Sequence, residues 1–173
     1  MKLAIRNLGE VLVFSNFKAE KKVVDLYPSF SPVGAGMAIR KNALKFYINE
    51  IEKQLHTISD RKGNDLSSSG DNDIVMHVLK AGYEVGFSPL LQLTHLIPAS
   101  RLTKDYFGRL NYGIMKSWTQ FLRKHGICPW QAIPIWTLIF RMVKAYFTYK
   151  AWKNEVNFVN WKGACGMFEG LTA

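Results

Sequence analysis

The sequence predicts an α/β unit over residues 1–100, followed by a basic, aromatic α-helical extension over residues 101–173. Three observations predict it. The apolar patterns run in the order helix, loop, helix, strand, strand, and after about residue 100 only helical spacing remains. Charge divides at the same place: residues 1–100 hold 12 Lys/Arg against 10 Asp/Glu, whereas residues 101–173 hold 11 against 3. All five tryptophans (Trp118, Trp130, Trp136, Trp152 and Trp161) lie in the second part.

The whole chain of 173 residues is 48% apolar and 21% charged, which excludes global disorder, a collagen-like repeat and a disulfide-dense mini-protein. A net charge of +10 implies an anionic partner: nucleic acid, a membrane surface or a phosphorylated ligand. Cys128 and Cys165 are too few for a disulfide framework and have no CxxC spacing, which fits a reduced, cytoplasmic chain. The N-terminus lacks the long apolar run and small-residue cleavage site of a signal peptide. The longest apolar stretch, 132–140, falls far short of the roughly 20 residues a membrane span needs. Surface attachment to a membrane stays open.

Taken in order, Val11–Phe14 is a short apolar run and Pro28 to Pro32 reads as a loop. Gly34-Ala35-Gly36 precedes a predicted strand over Met37–Ile39. Leu44, Tyr47, Ile48, Ile51 and Leu55 predict an amphipathic helix over 41–55. Ile58 to Gly70 is a long polar loop. Asp71 starts a second helix with Ile74, Val75, Val78 and Leu79 on one face, and Gly82 stands where a C-terminal cap glycine belongs. Tyr83–Phe87 and Leu91–Ile97 read as strands. Thr103–Lys124 and Trp136–Lys153 read as long helices, and Val156–Leu171 as a shorter helix, kinked or interrupted around Gly163–Gly166.

Asp71 and Asp73 fall at a helix start, where free N–H groups and the helix dipole favour carboxylates. Plain capping accounts for them. A histidine, His95, follows on the second predicted strand, and the pairing of a helix-start carboxylate with a strand histidine admits a chemical reading as well.

The run Gly70-Asp71-Asn72-Asp73, Ala81-Gly82-Tyr83, Ser88-Pro89 and Leu93-Thr94-His95 resembles family 2 glycosyltransferases, which use a GT-A fold. Gly34 to Arg40 is similar to that family's small-residue segment before its acceptor-side loop. Leu96 to Leu102 and Gly163 to Leu171 resemble the C-terminal end of a bacterial subgroup. The resemblance covers roughly residues 30–173.

It implies that residues 1–100 are the acceptor-side half of a GT-A catalytic domain. Asp71 then matches the general base that takes a proton from an acceptor hydroxyl. His95 matches a ligand to the divalent metal, Mn or Mg, on the donor diphosphate. Asp73 supports the helix start behind Asp71. Gly34, Gly36 and Arg40 line the acceptor side, and Arg61 and Lys62 meet a donor phosphate or are simply solvated. Gly70 stands where the family usually has Glu, while Asp71 stays in place.

The donor half, with its apolar strand and strand-end DxD, is missing; Asp71-Asn72-Asp73 follows a serine run instead of such a strand. The resemblance therefore implies a split or partial inverting enzyme of cell-surface polysaccharide synthesis, inactive without a donor-binding chain. It would use a nucleotide-sugar donor and a glycan or lipid-linked acceptor at the inner face of the cell membrane. The alternative is a non-catalytic membrane- or partner-binding module.

For the basic helices three readings stand: a solvated face, a peripheral anionic-membrane surface, and single-stranded nucleic acid. Trp and Tyr favour the lipid headgroup level and Lys/Arg gain from anionic lipid. Trp130, Trp136, Phe140, Tyr146, Phe147, Tyr149 and Trp152 beside Arg141, Lys144 and Lys150 suit that surface. No RNA-binding or zinc-finger signature is present, so nucleic acid is not an expected partner.

Overall fold

The computed structural model describes residues 19–20, 27–28, 31–32, 34–53, 66, 68–86, 94 and 96–172. They belong to two compact units, one from Met1–Thr57 with Asp71–Leu96, the other from Ile58–Gly70 with Ile97–Ala173.

In the first unit, strand β1 (Ala19–Glu20) pairs antiparallel with β2 (Val85–Gly86), Ala19 opposite Gly86 and Glu20 opposite Val85. A 3-10 turn (Gly34–Gly36) leads to helix α1 (Lys41–Glu52). Arg40 at its N-cap gives no side-chain bond. Helix α2 (Gly70–Lys80) buries Val75 and Leu79 against Val85, with Tyr27 and Met37 packed on that cluster. Gly82 ends α2 in a Schellman turn at φ +85°: its N–H bonds to the Leu79 carbonyl and that of Tyr83 to the Val78 carbonyl.

The second unit is helical. Helix α3 (Lys104–Lys124) is capped by the Thr103 hydroxyl, which accepts from the Tyr106 N–H. It ends in the same turn, with Gly126 at φ +73°. A 3-10 turn (Ile135–Thr137) then opens α4 (Leu138–Thr148), and α5 (Glu155–Leu171) follows, capped by Asn154. Helices α3 and α5 run parallel: Asn111 donates to the Val159 carbonyl, Lys116 pairs with Glu169 at 2.7 Å, and Arg123 donates to the carbonyls of Gly170 and Thr172. The last of these gives a guanidinium to the orphan carbonyls of a helix end.

The two helices approach closely because α5 faces α3 with glycine. A Cβ on Gly166 would meet the backbone of Tyr112, and one on Gly170 would lie 2.7 Å from the Lys116 carbonyl oxygen. Helix α4 returns antiparallel along α5. The Trp161 indole donates to the Met142 carbonyl at 3.0 Å, and the Trp161 ring meets Tyr146 edge-on. Next to α4's start, Ile133 donates to the Leu171 carbonyl.

The α/β GT-A expectation is overturned. The described residues are mainly helical, and their only strands are the two-residue pair β1 and β2. Met37–Ile39 is not a strand: it enters no ladder, and an extended segment without a partner strand gains none of the bonds that define a sheet. Tyr83–Phe87 contracts to Val85–Gly86. Of Leu91–Ile97, Thr94, Leu96 and Ile97 are unpaired and Leu96 is exposed; the rest lies outside the described residues. The predicted helix Trp136–Lys153 is shorter, since Lys150 adopts φ +49° and turns the chain. No interruption occurs at Gly163–Gly166, because there the glycines serve the contact with α3.

Candidate functional site

The residues singled out from the sequence fall into three groups. His95, Arg61 and Lys62 lie outside the described residues. Asp71, Gly34, Asp73, Gly36 and Arg40 are described, and the first two come together. Asp71 Oδ2 accepts the Gly34 N–H at 3.0 Å, and Oδ1 accepts the Asn72 N–H at 2.9 Å. Asp71 thus fastens the Gly34–Gly36 turn to the start of α2. A carboxylate at a helix start suits that task, because it meets N–H groups left free by the helix. Gly36 and Arg40 are exposed, and the Asp71 carboxylate bonds to neither of them.

Beside this clasp, the Tyr27 hydroxyl donates to Asn72 Oδ1 at 2.7 Å and accepts from the Ser31 hydroxyl at 2.6 Å. Burial, reinforced by the charge on Asp71 and opposed by the Ser31 bond, pushes the Tyr27 hydroxyl well above its ordinary value. Asp73 is wholly buried, with its carboxylate 3.7 Å from His77 Nδ1. That nitrogen lies 2.7 Å from the Asp73 carbonyl oxygen, which can only accept, so Nδ1 carries the proton of this contact. Tyr47 meets the His77 ring edge-on. The Tyr27–Asn72 bond and the Tyr47–His77 contact tie α2 to its neighbours, whereas the Asp73–His77 contacts lie within the helix.

The second unit presents a different kind of surface. Helix α4 has two apolar faces. Leu138, Met142, Ala145 and Tyr146, spaced four, three and one residues apart, are at least partly buried; Tyr146 and Met142 touch Trp161 on α5. The other face is open. Trp136 is 73% exposed, Ile139 73%, Phe140 74%, Val143 52% and Phe147 61%. At about 100° per residue the four on α4, Ile139, Phe140, Val143 and Phe147, fall within an arc of about 100°, and Trp136 precedes them in the 3-10 turn. A stripe of that width is what an amphipathic helix ordinarily turns toward a core. Here it faces away from α5.

The open stripe is flanked by cations. Arg141, Lys144, Lys150 and Lys153 are all exposed, and no carboxylate partner occurs for them among the described residues. From residue 130 to 162 there are five Lys/Arg and one acidic residue, Glu155. Trp130, Tyr149, Trp152 and Val156 add further exposed apolar surface. Exposed large apolar residues gathered in one segment differ from the singly scattered ones normal on a protein surface.

Aromatic contacts link this surface to α5. Trp152 packs on Tyr146 and Phe147, and Phe158 on Trp161. Lys104 and Lys162 sit over the Phe158 ring at 4.5 and 5.7 Å from its centroid. Cys165 is buried, and desolvation holds its thiol above the ordinary range against the opposing charge of Lys162, so it acts as a small apolar filler.

Sequence reasoning had named Trp136, Phe140 and Phe147, but it missed Ile139 and Val143 and did not separate Tyr146, which turns inward. The steps 136, 139/140, 143 and 147 carried that signal. Comparison of the chain with protein-family models, with curated proteins and with solved structures gives no match.

Proposed function

We propose that this protein is a peripheral membrane-binding module whose C-terminal unit docks on an anionic lipid surface through α4. The observation that carries the reading is the open stripe Trp136, Ile139, Phe140, Val143 and Phe147 beside Arg141 and Lys144. No helix among the described residues is long and apolar enough to cross a membrane, so α4 would lie in the plane of the interface. Its apolar arc would enter the acyl boundary while Arg141, Lys144 and Lys153 meet headgroup phosphates. Charge complementarity selects anionic lipid: each Lys or Arg near such a surface contributes about 1 kcal/mol. The transfer chemistry implied by the glycosyltransferase resemblance presupposes a GT-A sheet, which the described residues do not form.

The test is vesicle binding. Phe140 is three-quarters exposed, so its insertion would contribute roughly 1.5–2 kcal/mol. Phe140→Ser should therefore weaken binding to phosphatidylcholine vesicles containing phosphatidylglycerol by about 10- to 30-fold. Removing the anionic lipid, or raising the salt, should weaken the wild type as well. Equal binding by wild type and Phe140→Ser would overturn the reading. So would a stable dimer in sedimentation that ignores vesicles, because a second copy would then cover the stripe.

A further inference from the structure

Among the described residues, three helices end in the same hydrogen-bonded turn. After α2 the N–H of Gly82 bonds to Leu79 and that of Tyr83 to Val78; after α3 Gly126 bonds to Arg123 and Ile127 to Leu122. After α4 the pattern repeats, with the Lys150 N–H on the Phe147 carbonyl at 3.1 Å and the Ala151 N–H on the Tyr146 carbonyl at 3.0 Å. The turn requires a left-handed backbone at its central residue, and glycine supplies it without a Cβ penalty. Gly82 and Gly126 follow that rule at φ +85° and +73°. Lys150 breaks it at φ +49°, the one non-glycine residue with positive φ among the described residues.

The strained turn is held in place. The Lys150 carbonyl accepts the Lys153 N–H at 2.9 Å and the Asn157 side-chain amide at 3.2 Å, and Ala151 behind it is buried. Lys150 itself is exposed, lies between the exposed aromatics Tyr149 and Trp152 in sequence, and has no carboxylate partner among the described residues. A residue kept in a costly conformation at an exposed corner points to a demand on its side chain.

We infer that Lys150 is a headgroup-contact residue: its ammonium, set at the end of the α4 stripe, binds a phosphate of the anionic lipid on which α4 docks. The inference rests on the membrane-docking reading and assigns a lipid contact to one residue within it. Tyr149 and Trp152, aromatic side chains with a polar tip, would sit at the same headgroup level. The stability lost in the turn is offset by a fixed cation where the helix stripe ends.

The distinguishing property is that fold and binding move in opposite directions. Lys150→Gly should raise the melting temperature by about 2–4 °C, because glycine relieves the turn. The same variant should bind phosphatidylglycerol-containing vesicles about fivefold more weakly, the loss of one lysine at the surface. Lys150→Arg should keep wild-type affinity, and inorganic phosphate at millimolar concentration should not compete with vesicles. If Lys150→Gly binds as wild type while Trp136→Ser loses binding, docking by α4 stands and the role of Lys150 falls. If neither substitution changes binding, the docking reading itself fails.

Discussion

Gly166→Ala offers the sharpest test of how the second unit is held together. In an exposed helix interior this substitution should stabilise by about 1 kcal/mol, since alanine is the better helix former. Here the added methyl would lie 2.8 Å from the Tyr112 carbonyl carbon and 3.0 Å from its Cα, and nearer still to the carbonyl oxygen. Ordinary carbon contacts sit at about 3.5–4.0 Å. The neighbour is backbone and cannot rotate away, so α3 and α5 must separate. Overpacking of this kind costs about 1–3 kcal/mol, and a backbone clash belongs at the upper end. Separation also strains the Asn111–Val159 bond and the close contacts at Gly163 and Gly170. Subtracting the propensity gain leaves a net loss of roughly 2 kcal/mol. Urea unfolding followed by near-ultraviolet circular dichroism would measure it. Asn160→Ala, at an exposed position of the same helix, is the control and should stabilise by about 0.5 kcal/mol. If Gly166→Ala also stabilises, α3 and α5 do not meet as described.

Two further predictions concern the first unit. Asp71→Ala should cost about 0.5–1 kcal/mol, because the bonds it removes are partly solvated, and it should speed hydrogen exchange at the Gly34 amide; an unchanged Gly34 rate would refute the clasp. Tyr27 has a native hydroxyl pKa raised above the unfolded value of about 10, so the unfolded chain releases this proton first as pH rises. Its stabilising contribution is complete below that pH and is lost above it. Tyr27→Phe should therefore flatten the fall in stability above pH ~10, at a cost of about 1 kcal/mol near neutrality; a parallel alkaline limb in both proteins would refute the assignment.

Helices were legible where their signals were local. Apolar spacing and Gly82 marked α2, and the predicted Thr103–Lys124 differs from Lys104–Lys124 by one residue. Strands were not, because pairing depends on a distant partner: nothing near Met37–Ile39 says that no strand lies beside it. The glycines of α5 were misread for a related reason. Gly163 and Gly166 weaken a helix considered alone, yet they admit a second helix at close range, and only the position of Asn111 and Tyr112 reveals that. Asp71 was legible as a helix-start carboxylate, whereas its bond to Gly34 spans 37 positions and could not be read from spacing. On α4 the composition of the face was legible, but not which side faced α5: Tyr146 and Phe147 are adjacent aromatics, and one is packed while the other is open.

The shape of α4 also bears on how it would bind. Eleven residues make a helix about 16 Å long, half of the roughly 30 Å needed to cross a bilayer. Short helices are marginal in water by themselves, and many interfacial helices form only on contact with lipid. This one is already formed and anchored. Near its start Ile133 bonds to Leu171, at its end Lys150 and Ala151 close the turn, and between them Trp161 holds its inner face. Docking would therefore cost little ordering entropy, and the apolar arc would be presented before lipid is met. The consequence is geometric: Trp136, in the 3-10 turn before α4, and Phe147, near its far end, would reach similar depth only if α4 rests parallel to the membrane. A tilted helix would bury one and leave the other in water. Quenching of the Trp136 fluorescence by brominated lipid, compared with that of a tryptophan placed at Phe147, separates these arrangements. Equal quenching supports the in-plane orientation, and quenching of one alone refutes it.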